Sequence, residues 1–94
     1  MTAISDQDRP VAADGLVIEQ HGDGFHSVIA PVTASVLITN DTGRFVLESC
    51  DGSRSVAEIV VAVGNRFADA SPELVRADVG TFLGTAARKE VVRW

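Results

Sequence analysis

Val36-Leu37-Ile38-Thr39-Asn40-Asp41-Thr42-Gly43, continued by Phe45-Val46-Leu47 and closed by Cys50-Asp51-Gly52-Ser53-Arg54-Ser55-Val56, decides how this chain folds. Residues 35–39 form an apolar, β-branched run that predicts a strand. Asn40 or Asp41 follows with no loop between. Either side chain accepts from the backbone N–H groups that lack partners in a helix's first turn. The helix so opened runs to about Cys50, with Gly52 just past its end as a stop. Ser55-Val56-Ala57-Glu58 is a capping box and starts a second helix almost at once.

Upstream, Pro31-Val32-Thr33-Ala34 breaks the preceding run, because proline cannot donate to a ladder. Residues 25–30 and 16–20 read as two short strands around the turn His21-Gly22-Asp23-Gly24, where Gly22 and Gly24 are free to take positive φ. Arg9-Pro10-Val11-Ala12-Ala13-Asp14-Gly15 reads as an extended arm ending in a turn, and residues 1–8 as a disordered N-terminal arm. Downstream, Val56, Ile59, Val60, Val63 and Phe67 recur at helical spacing. Asp69-Ala70-Ser71-Pro72-Glu73 opens a third helix, capped by Ser71 with Pro72 in the first turn. Val75, Val79, Phe82 and Ala86 share one face of it, flanked by Leu74 and Leu83. That helix ends near residues 88–90 and leaves a short apolar tail, Val91-Val92-Arg93-Trp94. Three strands followed by three helices is an α+β order. A strand fused to a tight helical hairpin is the centre of a winged-helix-like module.

At 94 residues, 46% hydrophobic and 22% charged, the chain suits one soluble folded domain over residues 9–94. No apolar run reaches bilayer length, and the first residues lack a basic start and an apolar stretch. The expected compartment is the cytoplasm, with no membrane partner. A formal charge of −5 argues against nucleic acid, where phosphate neutralisation needs Lys and Arg.

No catalytic constellation, cofactor motif or metal site emerges. One cysteine and two histidines do not make a four-ligand zinc site. Cys50 reads as a small buried residue. His21 and His26 read as exposed residues at a hairpin turn. Gly22 and Gly24 lie between strands and not between a strand and a helix, so they form no phosphate loop. The expectation is a non-catalytic binding module.

Three segments resemble the PqqD family, the pyrroloquinoline quinone biosynthesis protein D group of precursor-peptide recognition elements. They are Arg9-Pro10 with Ala13-Asp14-Gly15; Asn40-Asp41-Thr42-Gly43, similar to an Asn-x-Thr-small helix start; and Asp51-Gly52-Ser53-Arg54-Ser55-Val56-Ala57-Glu58-Ile59, similar to an Asp-Gly-x-x-(Ser/Thr)-Val-x-Glu-(Ile/Leu) junction. Arg76-Ala77-Asp78-Val79 with Phe82-Leu83 is similar to the family's last helix. The chain departs from the pattern at Thr39, where Leu is more common, at residues 31–34, and at Lys89-Glu90 in place of an Arg-Gly end.

The resemblance implies a three-stranded antiparallel sheet followed by a three-helix bundle. It also implies binding of the leader segment of a ribosomally made precursor peptide, added as a strand to the third strand in a groove walled by the third helix. The partner then supplied with the peptide is a modifying enzyme: a radical S-adenosylmethionine enzyme, a cyclase or a leader peptidase. On this chain the strand wall is Val36, Leu37, Ile38 and Thr39. The helix wall is Val75, Val79 and Phe82, with Arg76 and Asp78 flanking it, although the same helix also has to supply core. Two other readings fit the topology. One is a winged-helix DNA-binding regulator, which the acidic balance opposes. The other is a docking subunit that binds an enzyme but no peptide.

Overall fold

The computed structural model describes residues 4–67 and 71–94. The chain order is β1 (Val11–Ala12), β2 (Val17–Gln20), β3 (Phe25–Ala30), β4 (Ser35–Asn40), α1 (Asp41–Glu48), α2 (Val56–Arg66), α3 (Pro72–Arg88) and β5 (Val92–Arg93). Strands β2, β3 and β4 form an antiparallel sheet with β3 in the centre, and β1 pairs antiparallel with β5 in a second, two-stranded sheet. The three-stranded sheet packed on three helices is the expected α+β architecture.

Period-two alternation sets the sheet's faces. His26, Val28 and Ala30 of β3 and Leu37 of β4 are buried against the helices, while Val17, Phe25, Val36 and Ile38 are exposed. At the turn after β2, positive φ falls on Asp23 (66°) and Gly24 (77°) rather than on Gly22. An Asp tolerates that region better than most side chains, so the turn shifts by one residue from the expected pair.

Asn40 is the residue that caps α1: its Oδ1 accepts from Gly43 N–H at 2.9 Å. The helix ends at Glu48, and Gly52 is not its stop. With φ +83°, Gly52 instead lets the chain between α1 and α2 press against β1: its N–H donates to Pro10 O at 3.1 Å, and Ala12 N–H donates to Cys50 O at 2.7 Å. The expected capping box of α2 is complete, with Ser55 Oγ accepting from Glu58 N–H and Glu58 Oε1 accepting from Ser55 N–H. Ser71 caps α3 by accepting from Leu74 N–H. Asp69 and Ala70, expected to open that helix, lie outside the described residues.

Both chain ends are part of the packing. Val91 and Val92 are buried, and Pro10 is fully enclosed. Within the stretch expected to be a disordered arm, residues 1–3 lie outside the described residues, whereas residues 4–8 are held against the start of α2. There Val56 N–H donates to Asp8 O at 2.9 Å and Ala57 N–H to Asp6 O at 3.2 Å. Two donors that a helix start would otherwise leave open are satisfied by the N-terminal segment.

Buried positions Val75, Val79, Leu83 and Ala86 are the core stripe of α3. Leu83, expected at the flank, sits at its centre with no exposed surface. Phe82, expected in the stripe, is displaced from it and only partly buried. A 100° step per residue moves 82 off the line through 75, 79 and 83. Cys50 is buried as expected, and its thiol donates to Val46 O at 3.1 Å.

Candidate functional site

Strand β4 is an edge strand, and its free main-chain groups can be assigned. His21 N–H donates to Phe25 O at 2.9 Å. In an antiparallel ladder, hydrogen-bonded pairs alternate with non-bonded ones. With the register Glu19↔Ser27 and Val17↔Ile29, the main-chain groups of Phe25, Ser27 and Ile29 face β2. Those of His26, Val28 and Ala30 therefore face β4, where their partners are Thr39, Leu37 and Ser35. The N–H and C=O groups of Val36 and Ile38 are left pointing to the open edge.

Beside that edge runs an open cleft of about 540 Å³ between the end of β4, the first turn of α1 and the middle of α3. It is lined by Phe25, Ile38, Thr39, Asn40, Thr42, Gly43, Val46, Asp78, Thr81 and Phe82. The floor is shaped by a close approach. A Cβ on Gly43 would lie 1.8 Å from Thr39 Oγ1 and 2.9 Å from the Phe82 ring. Any side chain at position 43 would force Thr39 and Phe82 apart. The small residue in the Asn-Asp-Thr-Gly segment thus lets the Thr39 side chain and the Phe82 ring both close on the first turn of α1.

Of the residues expected to form the site, the cleft unites Ile38, Thr39, Asp78 and Phe82. Val36 lies next along the same edge with its side chain on the outer face. Leu37, Val75 and Val79 are buried in the core. They support the two walls from behind and offer no surface. Arg76 lies outside the cleft lining and is ion-paired with Asp6 of the N-terminal segment. Gly43, Thr42 and Thr81 are cleft residues that the sequence reading missed. Thr42 and Gly43 had a signal in their motif positions; Thr81 had none.

A second polar hollow lies on the other side of α1. His26, expected to be exposed, is buried (2%). Its Nε2–H donates to Asp41 Oδ1 at 2.6 Å, and its Nδ1 accepts from Arg44 Nη1 at 3.3 Å. These bonds tie the central strand to the first turn of α1. His21 instead stacks on Phe25 and bonds Ser27 Oγ at 2.7 Å, so the two histidines do not converge. Among the described residues, no group of three His, Cys, Asp or Glu side chains is placed to hold a metal ion, and no helix is long and apolar enough to cross a membrane.

Two ionisable groups at the α1–α2 junction are held charged. The hydroxyl and backbone N–H of Ser53, both donating to Asp51 Oδ1, hold that carboxyl below its usual range. The Ser55 N–H does the same for Glu58. Both are turn and cap devices rather than reactive groups.

Comparison with known proteins bears on the family and the fold. The sequence model of the family described as coenzyme PQQ synthesis protein D (PqqD) matches residues 26–92, and the chain belongs to that family. Among solved structures, it is similar to the PqqD truncation of Methylobacterium extorquens PqqCD, described as a functional and stand-alone RiPP recognition element. That likeness has 27% identity and a TM-score of 0.76, over 99% of this chain and 97% of that one. The fold is also that of TbiB1, solved in complex with the TbiA(beta) leader peptide, at 20% identity and a TM-score of 0.69, over 88% of this chain and 94% of that one. No curated protein matches the chain.

Proposed function

We propose that this chain is a non-catalytic recognition element. It binds the leader segment of a ribosomally made precursor peptide as a fourth strand on β4 and presents it to a modifying enzyme of the radical S-adenosylmethionine, cyclase or peptidase kind. The carrying observation is the open edge at Val36 and Ile38 beside a cleft walled by α3. Unpaired edge groups are a template for strand addition: main-chain bonds give affinity and alternate side chains give selectivity. The stand-alone recognition element from Methylobacterium, similar along the whole chain, supports the same reading.

The test is a titration with synthetic leader segments of ribosomal precursor peptides. The Val36 and Ile38 amide resonances are expected to shift. Ile38→Pro, which removes an outward N–H, is expected to abolish binding. Unaltered binding by a folded Ile38→Pro protein, or shifts confined to residues 21–24, would sink strand addition.

A further inference from the structure

The cleft carries an electrostatic signature that bears on what peptide it takes, given the strand-addition reading above. Asp78 is the one charged side chain among the described residues lining it. It is exposed and has no ion-pair partner among the described residues. Around it the rim offers acceptors, the hydroxyl oxygens of Thr42 and Thr81. Below lie the Phe82 ring and the bare backbone of Gly43.

The ladder geometry fixes which peptide residue meets this seat. Side chains directly opposite each other in an antiparallel pair share a face. A peptide residue opposite Val36 or Ile38 projects to the outer face of the sheet. One opposite Leu37 or Thr39 projects inward, and the residue opposite Thr39 enters the cleft between Phe82 and Asp78. In an antiparallel peptide the residue opposite Leu37 comes two positions later.

We infer that the peptide recognised here places a basic side chain, arginine in preference to lysine, opposite Thr39, with its stem on Phe82 and its head at Asp78. An aliphatic stem covers apolar surface while its charged end stays at the rim. A guanidinium suits the seat further: it is planar, stacks on an aromatic face, and presents five donors to a carboxylate and two hydroxyl oxygens. A purely apolar side chain would strip water from Asp78 with no compensating partner. An acidic one would be repelled. The chain's formal charge of −5 speeds encounter with a basic segment.

The test is selection of a displayed library of random 12-residue peptides against the wild-type protein, Asp78→Asn, Asp78→Lys and Ile38→Pro, each first checked by thermal melting. Peptides selected on the wild type are expected to carry Arg or Lys at one fixed position of an alternating apolar pattern. Their affinity is expected to fall about fivefold on Asp78→Asn, as for a partly exposed ion pair, and further on Asp78→Lys. Selection on Asp78→Lys is expected to replace the basic residue by Asp or Glu. A pool that binds the wild type and is lost on Ile38→Pro, but shows no basic position or binds Asp78→Lys equally, overturns the charge rule and leaves strand addition standing. A pool that neither discriminates against a folded Ile38→Pro protein nor moves the Val36 and Ile38 amide resonances overturns both. If the Pro variant does not fold, those two resonances decide alone.

Discussion

At Glu90 the chain leaves α3 with φ 60°, in the left-handed region that side chains avoid. The bonds around it are those of a Schellman ending: Glu90 N–H donates to Ala87 O and Val91 N–H to Ala86 O, which returns Val91 to the core. Glycine is the residue suited to that position, and the departure noted at Lys89-Glu90 therefore has an energetic reading. Glu90→Gly is expected to stabilise the fold by about 1 kcal/mol, read as a rise in the denaturation midpoint with an unchanged slope. Cys50 shows the opposite case of a residue at ease in its place. Burial, aided by the neighbouring Asp51 carboxylate, pushes its thiol from 9.0 up to about 12. The folded protein thus keeps a proton that the unfolded chain loses in this interval. Stability is expected to fall as pH rises from about 9 to about 12, and Cys50→Ala is expected to flatten that part of the curve. At neutral pH alkylation is expected only after unfolding, as mass spectrometry of iodoacetamide-treated protein would show.

Among the elements, α2 depends on a neighbour from outside the helical region. Its capping box was legible in Ser55 and Glu58, because both partners lie within four residues. The contribution of Asp6 and Asp8 was not legible, because it uses carbonyl oxygens, which every residue has. Removing residues 1–8 opens two helix donors and frees Arg76 from its ion pair. Truncation is expected to lower stability by about 1–3 kcal/mol and to speed amide exchange at Val56 and Ala57. Intact protection at those amides in the truncated protein would show that the segment contributes nothing. In α3 the apolar spacing identified the helix and most of its buried face. It did not separate Phe82 from Leu83, since adjacent apolar residues near a stripe's border are distinguished only by what packs beside them. That one-residue difference decides which ring faces the cleft.

For the molecule as a whole, the α+β order and the direct strand-to-helix passage at Asn40 followed from local signals: β-branched runs, caps and turn residues. The cleft was partly legible. Ile38, Thr39, Asp78 and Phe82, expected from the family resemblance, line it together, while Leu37, Val75 and Val79 belong to the core because strand alternation and helix phase turn them inward. The β1–β5 ladder was missed: each strand has two residues, too few for a periodic pattern, and their pairing spans nearly the entire sequence. Strand β1 also bridges to the α1–α2 junction, Val11 opposite Asp51, which explains why Arg9-Pro10 and Asp51-Gly52 belong to one pattern: Gly52 N–H donates to Pro10 O there. The β1–β5 ladder determines how the protein responds to being pulled. Val11 pairs with Arg93 and Ala12 with Val92, so the incoming and outgoing chain leave the ladder on the same side. Once residues 4–8 have come away from α2 and Arg76, tension applied through both termini peels this pair apart bond by bond, as a zipper opens, instead of shearing all its bonds together. Strand β4, on the separate three-stranded sheet, lies outside that rupture. A protein tethered at both ends can thus give at its terminal seam while its cleft stays assembled.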